Sequence, residues 1–126
     1  QALRVNPDYV EAHYNLAKAL KSTGRLDEAA DHYRQALKIK PSSVEALDNL
    51  GNLLSAQGKF DEAAVCYRKA LAIEPNSPDV HHNFGVSLLS QDKFDEAADH
   101  FRQALKINPN HSGAAAALQF LLGKKK

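Results

Sequence analysis

The 126-residue chain has one cysteine, no methionine, no tryptophan and six glycines. A single thiol, Cys66, excludes an internal disulfide and a cysteine-based zinc site. The few glycines include no phosphate-cradling loop. No run of eighteen apolar residues is present, so no segment reads as a membrane span and no membrane insertion is expected. Nothing near Gln1 reads as a signal peptide. Charge of one sign is missing too. Sixteen Lys and Arg stand against fifteen Asp and Glu, a formal net charge of +1, which argues against a nucleic-acid surface. What remains is an ordinary globular balance, 44% hydrophobic and 25% charged, rich in the helix formers Ala and Leu.

The prolines, though few, carry the organisation. Pro7, Pro41, Pro75 and Pro109 are spaced 34 residues apart. The text before them repeats as well. Residues 25–41, RLDEAADHYRQALKIKP, return as KFDEAAVCYRKALAIEP at 59–75 and KFDEAADHFRQALKINP at 93–109. Repetition this close means a stacked array.

Each unit reads as two helices. In the first helix the apolar stripe is Leu16, Ala17 and Leu20, then Leu47, Leu50, Gly51 and Leu54, then His81, Phe84, Gly85 and Leu88. In the second it is Ala29, Ala30, Tyr33, Ala36 and Leu37, repeated from Ala63 to Leu71 and from Ala97 to Leu105. The alanines let helices approach closely and one ring fills the gap between them. Gly24 and Gly58 fit a left-handed position after the first helix. Asp27, Asp61 and Asp95 suit the positive start of the second. Ser77, Pro78 and Asp79 read as N-cap, N1 and first turn.

The array is one all-α domain over 1–126. Residues 10–43, 44–77 and 78–111 are full units, 112–123 is one further helix, and 1–9 is the tail of an earlier second helix. A chain that starts inside a unit is expected to be a piece of a longer protein.

These units resemble tetratricopeptide repeats. The resemblance rests on the 34-residue period, the small residue (Ala17, Gly51, Gly85) after Leu16, Leu50 or Phe84, the alanines Ala29, Ala63 and Ala97, the aromatic four later, and the closing proline. Two positions depart from the family pattern. His13, Leu47 and His81 replace a bulky aromatic, and Asp92 replaces a glycine between helices. Asp tolerates the left-handed region at modest cost. The resemblance implies a right-handed superhelical solenoid whose first helices line a concave groove for an extended peptide or partner helix. It implies a protein-interaction scaffold with a protein or peptide partner, not an enzyme, and no cofactor.

On the face matching that groove stand Tyr14, Asn15, Lys18 and Lys21, then Asp48, Asn49 and Asn52, then His82, Asn83 and Val86, with Glu11, Glu45 and Asp79 beside them. Asn15, Asn49 and Asn83 each lie eight residues after a proline. An amide pairs with a peptide backbone without reading its sequence. The row resembles the asparagine ladder of the repeat domain of O-GlcNAc transferases, which makes a recognition arm of a larger glycosyltransferase the alternative reading. With helices about 8–10 Å apart, Asn15 to Asn83 spans about 20 Å, or about six residues of an extended strand. Three net hydrogen bonds supply about 1.5–4.5 kcal/mol, so anchors such as Tyr14 must add to them. Lys18 and Lys21 are not followed by basic residues in later units, so a clamp on two carboxylates is not expected.

The remaining chemistry reads as background. His81 and His82 are adjacent and diverge around a helix. His13 and His81 are two units apart. His32 and His100 read as outward-facing, with Cys66 at the matching site as a surface or half-buried thiol. No metal site is therefore expected. In the end helix Leu118, Leu121 and Leu122 should cover the third unit, while Phe120 points elsewhere. End-to-end or helix-swapped association through the terminal helices, a self-assembling module, is the third reading. The lone thiol and missing leader fit the cytoplasm.

Overall fold

The computed structural model describes residues 7–124. The expected second-helix tail at the front lies mostly outside the described residues. Seven helices follow in order: α1 Pro7–Ser22, α2 Leu26–Ile39, α3 Val44–Ala56, α4 Phe60–Ile73, α5 Pro78–Ser90, α6 Phe94–Ile107 and α7 Ser112–Lys124. No strand occurs among the described residues.

The termini of the helices show why the chain breaks where it does. Ser43 Oγ accepts from the Ala46 N–H at 3.2 Å and Ser77 Oγ from the Val80 N–H at 3.3 Å, capping α3 and α5. One period on, His111 Nδ1 accepts from the Ala114 N–H at 3.0 Å and does the same for α7. At the other end of α1, α3 and α5 the chain enters the left-handed region, at Gly24 (φ +81°), Gly58 (φ +79°) and Asp92 (φ +60°). That turn aims the next amide backwards. Arg25, Lys59 and Lys93 N–H groups donate to the Leu20, Leu54 and Leu88 carbonyls at 2.9, 2.8 and 3.0 Å. The second helices have no side-chain cap. Their first turns carry Asp27 and Glu28, Asp61 and Glu62, Asp95 and Glu96 against the helix dipole.

Packing follows the repeat. The helices pair as α1 with α2, α3 with α4, and α5 with α6, and each pair docks on the next. Between the two helices of a unit runs a buried seam of Ala29, Tyr33 and Ala36, then Ala63, Tyr67 and Ala70, then Ala97, Phe101 and Ala104. The small residues of the first helix are small because of those rings. A Cβ added to Gly51 would lie 2.8 Å from Tyr67 Cε1, and one on Gly85 would lie 2.7 Å from Phe101 Cε1. First helices also touch across units, α3 with α5 and α5 with α7, which gathers them on one side of the solenoid.

Two core expectations need correction. Leu16 is 45% exposed, although its counterparts Leu50 and Phe84 are buried. Phe84 stacks on Tyr67 of the preceding unit (ring centroids 5.1 Å apart), and no described helix stands before α1 to do the same for Leu16. On α7, Leu121 is buried and Leu118 half-buried, but Leu122 is 49% exposed. The face of α7 that packs on the third unit is Ala114, Ala117, Leu118 and Leu121, and Leu122 stands at its margin.

Candidate functional site: the inner wall

The inner wall is built by α1, α3 and α5, and its residues are held by bonds that step from unit to unit. Asn49 Nδ2 on α3 donates to the Tyr14 hydroxyl on α1 at 2.8 Å and to its own helix's Glu45 carbonyl at 2.9 Å. Asn83 Nδ2 on α5 donates to both oxygens of Asp48 on α3, at 3.1 and 3.0 Å. Both links span 35 residues. Each asparagine therefore reaches back to the residue just before the asparagine of the preceding unit. The row acts as rungs between units as well as a face toward solvent.

The rungs differ in chemistry. Tyr14 is a half-buried phenol whose pKa is raised well above its ordinary value, first by burial and then by its bond to Glu45. Asp48 is a carboxyl pushed up to about 6. Burial is the main cause; Asp79 adds repulsion, while the Asn83 bond and Lys21 pull the other way.

The other residues take distinct places. Asn15 is exposed and makes no hydrogen bond among the described residues. Lys18 Nζ lies over the Tyr14 ring, 5.3 Å from its centroid. Lys21, Asn52, His82, Asn83 and the exposed Val86 line one hollow with Ser55 and Tyr67. Asn52 is not free there, since its Oδ1 accepts from the buried Tyr67 hydroxyl at 2.6 Å. His82 packs on Phe101 and His111, and its Nδ1 lies 3.3 Å from Asn83 Oδ1. Burial keeps its pKa below the ordinary value. The structure thus joins Tyr14 with Asn49, Asp48 with Asn83, and Asn83 with His82, and leaves Asn15 apart.

The histidines of the second helices are not where the sequence suggested. His32 and His100 do not face outward. His32 Nδ1 lies 2.9 Å from His13 Nδ1, and His100 Nδ1 lies 3.1 Å from His81 Nδ1. Each pair ties the two helices of one unit. In the middle unit the same two positions hold Leu47 and Cys66, both buried, so the thiol is a core group and burial raises its pKa. The signal was available in the sequence. Positions 13, 47 and 81 vary in step with 32, 66 and 100, a separation of 19 that carries one helix onto its hairpin partner.

Comparison with known proteins settles the family. Tetratricopeptide repeat patterns match residues 17–58 and 51–92, 78–111 and 1–31. The chain belongs to the tetratricopeptide repeat family. Among solved structures it is similar to the first repeat domain of Spaghetti (RPAP3), bound to the HSP90 peptide SRMEEVD, with a TM-score of 0.88 and 19% identity over 97% of both chains. It is similar to the Sgt2 repeat domain of Aspergillus fumigatus, with a TM-score of 0.87 and 20% identity over 94% of this chain and 80% of that one. Similarity to pilF of Pseudomonas aeruginosa gives a TM-score of 0.84 and 28% identity, over 95% of this chain and 55% of that one. No curated protein matches the sequence significantly. No helix among the described residues is long and apolar enough to cross a membrane.

Proposed function

We propose that this tetratricopeptide domain is a protein-interaction module that binds an extended peptide along the wall of α1, α3 and α5. The observation that carries the reading is the wall's mixed chemistry, held rigid by the rungs. Asn15 keeps a full amide for a ligand backbone, and Asn49 keeps its Oδ1 as an acceptor because only its Nδ2 is used internally. Lys18 and Lys21 add positive charge at one end, and Val86 adds apolar surface at the other. The neighbour that holds an HSP90 peptide supports peptide binding as the use of such a wall. In this chain the units after Lys18 and Lys21 place Asp48, Asp79 and His82 on the wall. Repelling carboxylates there disfavour a ligand that ends in several acids, and favour a mixed or basic sequence beyond its first residues.

The rungs also decide which variant tests the reading. Asn49→Ala and Asn83→Ala break internal bonds, so they disturb fold and binding together. Asn15→Ala breaks none among the described residues. A library of seven-residue peptides, screened by array and titrated by fluorescence polarisation, should yield binders weakened about three- to tenfold by Asn15→Ala with Tm unchanged, since one net hydrogen bond contributes about 0.5–1.5 kcal/mol. Failure of every peptide to bind, or binders indifferent to Asn15→Ala, Lys18→Ala and Val86→Asp alike, sinks the inner-wall reading.

A further inference from the structure

The paired histidines have a geometry that packing alone does not require. His81 is buried, and its Nε2 lies 2.9 Å from the Pro75 carbonyl. A carbonyl only accepts, so the His81 proton sits on Nε2 and its Nδ1 carries a lone pair. That lone pair faces His100 Nδ1, 3.1 Å away across the hairpin. Metal-bound histidines characteristically donate the other ring N–H to a backbone carbonyl or carboxylate, which fixes tautomer and orientation. His81 already has that arrangement. Two imidazole nitrogens, each about 2.0–2.1 Å from a tetrahedral ion, stand about 3.3 Å apart. The observed separation of 3.1 Å is within a few tenths of an ångström of this.

We propose that His81 and His100 form a two-imidazole site for a divalent transition ion of the zinc or copper type, spanning the two helices of the third unit, and that His13 and His32 form a second copy in the first. Ion binding needs the proton now on His100 Nδ1 to pass through solvent to its Nε2. Both rings stay neutral and both Nδ1 lone pairs then converge on the ion. His100 is half-buried, and it is the neutral ring that offers a lone pair to an ion. Asp99 and Glu96 lie close enough to act on His100 electrostatically, with Arg68 opposing them. Among the described residues no cluster of three or more ligating side chains occurs, so the proposed site has two protein ligands and its remaining ligands would be waters. His82 and His111 do not form a third site. Both nitrogens of His111 are engaged, Nδ1 by the Ala114 N–H and Nε2 by Asp79 at 2.9 Å.

Equilibrium dialysis of the folded chain against zinc sulfate at pH 7.5 tests this. Two zinc ions per chain are expected for the native sequence, one for His81→Leu, and none for His81→Leu with His13→Leu. Leucine copies the middle unit's own Leu47. His100→Asn, at a half-buried position, repeats the loss of one ion if His81→Leu fails to fold. Zinc should raise Tm by several degrees, reversed by EDTA, and should shift the Nδ1 resonances of His81 and His100 in NMR spectra. The proposal is overturned by a stoichiometry that neither variant changes, by binding that His82→Ala abolishes equally, or by zinc on Nε2 rather than Nδ1.

Discussion

The seam inside each unit and the wall across units obey the same 34-residue period and differ in how strictly they keep it. The seam repeats almost letter for letter: alanine, ring, alanine, with a small residue facing the ring. On the wall, the position before each asparagine is Tyr14, then Asp48, then His82. A close-packed interior admits few solutions, because a ring leaves room for only a glycine or an alanine on the helix that faces it. A half-solvated wall admits many, provided each residue finds a partner. Stability is therefore concentrated where the units are alike, and any selectivity where they differ.

The sharpest way to break that contrast is to enlarge the seam. Ala63 is fully buried, and Gly85 would place a Cβ 2.7 Å from the buried Phe101. Ala63→Leu or Gly85→Leu should each cost about 3 kcal/mol, the upper end of overpacking, read from the midpoint of urea unfolding. Units stabilise their neighbours, so hydrogen exchange should quicken in adjoining helices as well. Loss confined to one unit would show that the units are not coupled.

The contrast also explains what the sequence disclosed. The fold was legible because its devices have local marks: the prolines, Gly24 and Gly58, the Ser77 cap, the ring four residues after an alanine. Even Asp92 at positive φ was readable, from its place in the register. The wall was legible as a set of positions but not as chemistry. Asn83 was recognised as an amide on the right face. That it is bonded to Asp48 depends on how one unit rotates onto the next, which single-helix periodicity does not contain. The histidine pairs are invisible in the periodicity of either helix alone, because the pairing lies across a hairpin. Leu16 misled for the opposite reason: its pattern is that of Leu50, but burial needs a neighbour as well as a pattern.

On the wall, the two rungs should separate in a double-mutant cycle. Asn83→Ala with Asp48→Ala removes a bond to a carboxylate, with a coupling of about 1.5–3 kcal/mol at pH 8. As pH falls below about 5 the carboxyl is protonated and the coupling should drop toward that of a neutral pair. A coupling that stays constant with pH would mean that Asp48 does not titrate in this range.

Asp48 makes a further prediction for the whole molecule. Its folded pKa, about 6, lies above the ordinary 3.8, so the folded state holds that proton more tightly than the unfolded one. The resulting contribution is fully present below pH 3.8 and is lost as pH rises through 6. At pH 7 the buried charge is a liability. Asp48→Asn should raise stability there by about 1–2 kcal/mol, after discounting for a partly solvated carboxylate, and should do little at pH 4. His82 and His100 have lowered values and act in the reverse sense, losing stability as pH falls. The difference between variant and native sequence, measured by thermal unfolding at each pH, isolates Asp48 from them.

The smallest effect belongs to the first rung. Tyr14 stays neutral over any ordinary pH range, since burial holds its phenol above even its usual value. The bond it accepts from Asn49 therefore has no charged form. Tyr14→Phe keeps the edge-on contact with the Tyr33 ring, whose centroid is 5.9 Å away, and deletes the hydroxyl alone. Its coupling to Asn49→Ala should be about 0.5–1.5 kcal/mol and equal at pH 5 and pH 8. Asn49 also donates to the Glu45 carbonyl, and the Tyr14 hydroxyl also interacts with the Glu45 side chain, so the single costs of Asn49→Ala and of Tyr14→Phe should each exceed the coupling. A pH-dependent coupling at this rung would contradict a neutral bond between Tyr14 and Asn49.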